Sequence, residues 1–405
     1  MFDIRIYWIW LVLVFKAGNP RIWQLSEKFA RVDDFVRALQ NGNVVGLTDG
    51  EKSDIKKHTL KSAEKLLGYC DRESINVYCY ESEGYPEKLR RISNPPPVLF
   101  CYGNLDFLND RVCIAVVGTR KPSEYSVIST KKICEQLVDR NILLSSGFAN
   151  GIDRIANEIS LEKNIPSVAV TGSAIEDDYP KGSDELKRLV SRNGAVISEY
   201  CSGIKALPNS FVRRNRILVG ISDGVLFCEC SDKSKGLDNA NHASVQGKPI
   251  FVLPPHDIFD ARYFGQRNLL RNGAVAVFDA FDIARNLAYS ELGEISFSDD
   301  FENSVDSLAE LEMKPSKKKK RGIFNRKSKK EKPVNTQPKL LPIEISKLGE
   351  TKQKIYKALE NENLHVDEII LKTGEDVATV LSELIELELE GMIVAYPGKI
   401  YGIAE

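Results

Sequence analysis

The sequence predicts an α/β protein with a doubly wound, mostly parallel sheet, preceded by a small helical domain and followed by a second small domain. Two observations carry this. Short β-branched runs repeatedly end in glycine or serine and lead into helical stretches, which is the alternation of βα units. The chain has 405 residues, 42% of them hydrophobic, enough to bury a full core and still carry domains at both ends. The expected division is 1–75 helical, 76–290 sheet domain, 291–345 linker and 346–405 terminal domain.

At the N-terminus, Ile6 to Phe15 is strongly apolar. As a helix it would reach only about 15 Å, against a bilayer core of ~30 Å, so it does not span a membrane. Phe15-Lys16-Ala17 is a poor signal-cleavage site and only Arg5 supplies positive charge ahead of it. A cytoplasmic protein without membrane contact is expected. From Ala17 to Asp71 the pattern is helical, with Leu25, Phe29, Val32, Phe35, Val36 and Leu39 at three- and four-residue spacings, then Leu60, Ala63, Leu66 and Leu67. Gly18-Asn19-Pro20-Arg21 reads as a hairpin between helices, and Pro95-Pro96-Pro97 stiffens the passage into the central domain.

The central strands follow in order. Cys113 to Val117 runs into Gly118-Thr119-Arg120, Ile142 to Leu144 into Ser145-Ser146-Gly147, and Ser167 to Val170 into Thr171-Gly172-Ser173. Val225 to Cys228 and Pro249 to Leu253 complete at least five parallel strands. Ligands of such sheets bind beyond the carboxyl ends of the strands, where these glycines and serines fall. Gly147 and Gly151 let backbone N–H groups approach an oxyanion, the next helix N-terminus adds roughly half a positive charge, and Ser145 and Ser146 can donate as well.

Phe211-Val212-Arg213-Arg214-Asn215-Arg216 brings three guanidiniums to the start of an apolar helix. It reads as an anion clamp presenting planar forks to phosphate, with Arg120 on the same rim. Taken alone, the run is also what a solvated helix turn looks like. A mononucleotide, a dinucleotide or a strand backbone would all fit the site.

Several chemistries drop out. No Gly-x-Gly-x-x-Gly follows the first strand and no Walker-type loop is present, so dinucleotide redox chemistry is not expected. His58, His242, His256 and His365 are scattered, and Cys228-Glu229-Cys230 lacks paired metal-ligand spacing, so neither metal nor cofactor is expected. The eight cysteines form no disulfide-like framework, which suits a reducing compartment.

Ser298 to Glu312 is acidic, and Lys314 to Lys332 carries eleven Lys/Arg against one Glu with almost no apolar content. This reads as a disordered linker, and three roles fit its charge: a solubilising tether, nonspecific attraction to nucleic acid or, in a eukaryote, a nuclear-import signal. Beyond it, apolar stretches at 355–359, 366–371 and 377–389, then Met392 to Ile403, suggest three helices and a two-stranded wing, a winged helix. Glu375 to Gly391 contains six acids and no Lys or Arg, so this module is expected to bind protein or its own chain rather than duplex DNA.

The chain resembles the bacterial DNA-processing protein A family (DprA, also called Smf) from about residue 60 to its C-terminus. The resemblance rests on Tyr85-Pro86 with Leu89, Pro96-Pro97-Val98-Leu99 before Gly103, and Val117-Gly118-Thr119-Arg120 with Ser123 and Tyr125-Ser126. It extends through Ser146-Gly147 with Gly151-Ile152-Asp153, Tyr179-Pro180, Ser198-Glu199-Tyr200, Arg214-Asn215-Arg216, and Gly273-Ala274 after Asn268-Leu269-Leu270. It implies an extended Rossmann domain that binds and protects single-stranded DNA and loads the RecA recombinase in natural transformation and homologous recombination. It also implies a homodimer that is a binding protein rather than an enzyme, with an N-terminal helical (SAM or helix-hairpin-like) module and a C-terminal winged helix. The DNA pocket would fall on Gly118, Thr119, Arg120, Ser146, Gly147, Phe211, Arg213, Arg214, Asn215, Arg216 and Lys235. The chain departs from the family pattern at Asn150, where arginine is usual, at Asn157 for histidine, and at Val212 for proline; Lys235 restores charge in the 234–237 loop.

The expected mechanism is electrostatic capture of a single strand, with Phe211 stacking a base for ~1–3 kcal/mol. Three or four phosphate contacts would give a log–log salt slope of roughly −2 to −3. Two other classes fit a phosphate cradle: a nucleotide phosphoribohydrolase, which lacks its Pro-Gly-Gly-x-Gly-Thr loop here, and a protein-binding adaptor with a degenerate pocket.

Overall fold

The structure is a computed structural model. It describes residues 3–204, 206, 209–288, 349–360, 364–389, 392–396 and 400–403, in two compact units, Met1–Glu312 and Met313–Glu405. The linker expected at 291–345, with its acidic and basic runs, lies outside the described residues.

The first unit is organised by a nine-stranded sheet. Its strands are β1 (Asn76–Cys79), β2 (Val98–Gly103), β3 (Cys113–Val117), β4 (Leu143–Ser146), β5 (Ser167–Val170), β6 (Ala195–Ser198), β7 (Gly224–Phe227), β8 (Ile250–Val252) and β9 (Val275–Ala276). The spatial order is β1-β2-β6-β5-β4-β3-β7-β8-β9. The run from β6 to β9 is parallel throughout, whereas β1 and β2 form an antiparallel edge on β6. The order reverses between β3 and β7, so a crevice opens above their carboxyl ends.

Both faces of the sheet are covered, which is why its strands read as continuous apolar runs rather than as an alternation. In β3, Cys113, Ala115 and Val117 face one cluster with Ile197, Val225 and Phe227. Ile114 and Val116 face the other, among Leu144, Leu226, Phe251 and residues of helices Glu124–Val138 and Ile152–Glu162.

The five helices between Ile4 and Arg72 do not close a core of their own. Trp10, Phe15, Phe35 and Leu67 share one cluster with Phe100, Val196 and Tyr200 of the sheet region. Helix Ile4–Phe15 begins at Asp3, whose carboxylate accepts the Arg5 N–H, and buries Ile6 and every residue from Trp8 to Phe15. A helix apolar on all sides is stable only when surrounded, and this one is the hub of its neighbours. No helix among the described residues is long and apolar enough to cross a membrane.

The second unit has helices Glu350–Leu359, Val366–Thr373 and Val377–Leu389 packed on β10 (Leu364–His365), β11 (Ile393–Tyr396) and β12 (Ile400–Ile403). The expected two-stranded wing is a three-stranded sheet ordered β10-β12-β11, because Leu364 and His365 pair back onto Tyr401 and Ile400. The acidic segment falls largely on helix Val377–Leu389, with Glu386 paired to Lys352 at 2.8 Å.

Candidate functional site

The loops at the carboxyl ends of β3, β4 and β7 enclose a cleft of about 690 Å³. Its floor depends on close backbone approach. A Cβ on Gly118 would lie 2.6 Å from Ile152 Cγ1, and one on Gly151, where φ is +83°, would lie 2.4 Å from the Thr119 carbonyl oxygen. The Thr119 N–H donates to the Glu229 carbonyl (2.8 Å) and the Ile152 N–H to the Thr119 carbonyl (3.2 Å), locking the β3 loop between its neighbours. Gly151 therefore serves loop packing, and the first N–H of helix Ile152–Glu162 is already spent. Contrary to the expectation for Gly151, neither it nor Ile152 lines the cleft.

Arg214 lies at the back of the cleft, only 8% exposed. Its Nη1 donates to the carbonyls of Gly147 (2.5 Å) and Val170, bracing the ends of β4 and β5. Gly147 makes room for it: a Cβ there would meet Arg214 Nη2 and Asp153 Oδ2, each at 2.6 Å. Burial lowers the pKa of Arg214. Burial likewise raises the Asp153 carboxyl to about 6, against the opposing pull of Arg214 and the Ala149 and Gly147 amides. The cleft thus holds a buried acid that keeps its proton to higher pH than a free aspartate.

Of the residues expected to form the pocket, Gly118, Thr119, Arg120, Gly147, Phe211, Arg214, Asn215 and Lys235 line the cleft. Three do not. Ser146 is wholly buried and its Oγ accepts from Asn157 Nδ2 (2.9 Å), while Ser145 bonds Ser222, so neither hydroxyl is offered to a ligand. Arg216 turns inward to pair with Glu199. Arg213 is exposed and reaches toward Gly18, whose Cβ position is 3.9 Å from its Nη1. The three-guanidinium clamp is thus dispersed: successive residues of a helix point about 100° apart, and only one of these arginines can face the cleft.

Other residues join the site. Lys121 follows Arg120 directly and could have been found by adjacency; Arg262 comes from the turn Ala261–Tyr263, with no local signal. Arg120, Lys121, Arg214, Lys235 and Arg262 face two carboxylates, Asp153 and Glu229. Glu229 is already engaged by the Ser123 N–H (2.9 Å) and Oγ (2.7 Å). Arg120, Lys121 and Lys235 make no side-chain hydrogen bond or ion pair with any described residue. Phe211 forms a wall, with its ring 4.6 Å from that of Tyr179 at 46°. The cleft suits a polyanion carrying flat apolar groups. Among the described residues no cluster of His, Cys, Asp and Glu could hold a metal.

A family model described as DNA recombination-mediator protein A matches residues 76–288, and one described as DprA winged helix domain matches residues 344–399. Protein Smf of Escherichia coli (strain K12) is 30% identical over 354 residues, covering 87% of this chain and 84% of that one. Protein Smf of Synechocystis is 28% identical over an alignment of 417 residues, covering 98% of each. The X-ray structure of DNA processing protein A from Streptococcus pneumoniae matches with a TM-score of 0.59 at 24% identity, covering 70% of this chain and 98% of that one, a likeness of fold.

Proposed function

Since the chain belongs to the DNA recombination-mediator protein A family, we propose that it is a DNA-processing protein that binds single-stranded DNA in the cleft above β3, β4 and β7. The observation that carries this reading is the pairing of three uncommitted cations, Arg120, Lys121 and Lys235, with an aromatic wall at Phe211. Phosphates meet the exposed cations, Arg214 supplies a fixed positive charge at the back, and Phe211 stacks a base. Only a strand whose bases are unpaired offers both surfaces to so short a cleft.

In this reading residues 1–75 cap the sheet domain of 76–290, residues 291–345 tether it, and 346–405 form a winged helix whose acidic helix meets protein rather than duplex. The strand is held without covalent chemistry and passed to a RecA-type recombinase in transformation and recombination. Protomers pair as homodimers in the cytoplasm, a compartment that suits eight free cysteines.

The test is fluorescence anisotropy with single-stranded and duplex oligonucleotides across a salt series. It compares the full chain, an Arg120→Ala/Lys121→Ala/Lys235→Ala variant, and a chain ending before Lys314. Loss of single-strand preference in the triple variant alone supports the cleft. Binding that vanishes only on truncation assigns it to the residues from Lys314 onward and removes this reading.

A further inference from the structure

Beside the cleft runs a second groove of about 550 Å³, which shares Val212, Ser234 and Lys235 with it, so a chain leaving one enters the other. Its chemistry is different. Its charges are one of each sign, Lys235 and Asp238, where the cleft sets five cations against two carboxylates. Asp238 is also occupied, within 3.4 Å of Asn215 Nδ2 and 3.2 Å of His242 Nε2. A phosphate would gain no net attraction here.

Four asparagines line this groove: Asn209, Asn241, Asn268 and Asn272. All four residues are exposed, and none of these side-chain amides is hydrogen-bonded to a described residue. They come from separate places in the chain: a left-handed residue at Asn209 (φ +65°), helix Asp238–Val245, and the end of helix Phe264–Arg271. Leu237 and Leu269 supply apolar surface between them. A primary amide presents a donor and an acceptor side by side in one plane, the complement of a nucleobase edge. Apolar surface flanked by amides and free of net charge fits an uncharged, flat, hydrogen-bonding group.

We propose that this groove is a nucleobase subsite that takes the bases of the strand as its backbone leaves the cleft. It rests on the reading of the cleft as a single-stranded DNA site and adds a reader of base edges to it.

The experiment uses the full chain and two labelled probes of equal length, oligothymidine and an abasic deoxyribose-phosphate strand, with the wild type, Asn241→Ala/Asn268→Ala and Phe211→Ala. The wild type is expected to favour oligothymidine. The asparagine variant should narrow that preference about tenfold, the size of two net hydrogen bonds, with an unchanged salt slope. The Phe211 variant should narrow it independently. An asparagine variant that keeps the full preference, or a wild type indifferent to bases, overturns the subsite while the phosphate cleft stands. If the wild type binds neither probe, the single-strand reading falls and the subsite with it.

Discussion

Arg216 and Glu199 form an ion pair inside the protein, with side chains 9% and 2% exposed, beneath the turn at Gly18. Arg216 Nη1 and Glu199 Oε2 have no further partner among the described residues. Such a pair adds little net stability, but removing one member leaves the other charge buried and alone. Arg216→Ala should therefore cost about 3–5 kcal/mol, and Arg216→Met/Glu199→Gln distinctly less. Urea unfolding measures both; a single variant as stable as wild type would sink the idea.

Gly147→Ala should lose both stability and binding. The new methyl group would sit 2.6 Å from Arg214 Nη2 and from Asp153 Oδ2, so the brace between Arg214 and the Gly147 and Val170 carbonyls must shift. Overpacking of this kind costs ~1–3 kcal/mol. Thermal unfolding and anisotropy on the same sample are the check, and a variant with wild-type values in both would show that the space is not needed.

Asp153 gives stability a defined pH dependence. Its carboxyl is raised by burial from 3.8 to about 6, so the folded protein keeps a proton that the unfolded chain has lost. The stabilisation is complete below the unfolded value and disappears as pH rises through about 6. Between about pH 5 and about pH 7.5 this group should remove roughly 1 kcal/mol. Asp153→Asn should flatten that part of the profile in urea unfolding at the two pH values; an unchanged profile would assign it elsewhere.

Phe211 separates packing from stacking. Phe211→Leu keeps an apolar group against Tyr179 and should leave the unfolding temperature nearly unchanged, while binding of a single strand weakens by ~1–3 kcal/mol for the lost stacked base. Phe211→Tyr should retain it. Equal affinities for the Leu and Tyr variants would remove stacking from the mechanism.

Each alanine at Arg120, Lys121 or Lys235 should reduce the steepness of the log–log salt dependence by about 0.7. Their side chains are exposed and engage no described residue, so stability should hold. A slope unchanged in all three would place the phosphates elsewhere.

Much of the sheet was legible because its strands are buried on both faces: Cys113 to Val117 and Val168 to Val170 are unbroken apolar runs that end at loops. The antiparallel edge was not legible. β2 pairs with β6 across nearly a hundred residues of chain, Phe100 opposite Ser198, and no local pattern records such a partner. In the site, the glycines and Arg120 were visible as strand-end punctuation, whereas Arg262 reaches the cleft from a distant turn.

The βα alternation, the glycines beyond the strands and an apolar run too short for a membrane span were all written along the chain. These are local properties, set by side-chain volume and polarity along a few residues. What each charge does depends on contacts that arrive from elsewhere in the fold. Arg213, Arg214 and Arg216 are near neighbours in the chain, yet one is exposed beside Gly18, one braces two strand ends at the cleft, and one is paired with Glu199. A helix turns each successive side chain toward a different neighbour, and those neighbours arrive from 18, 147, 170 and 199.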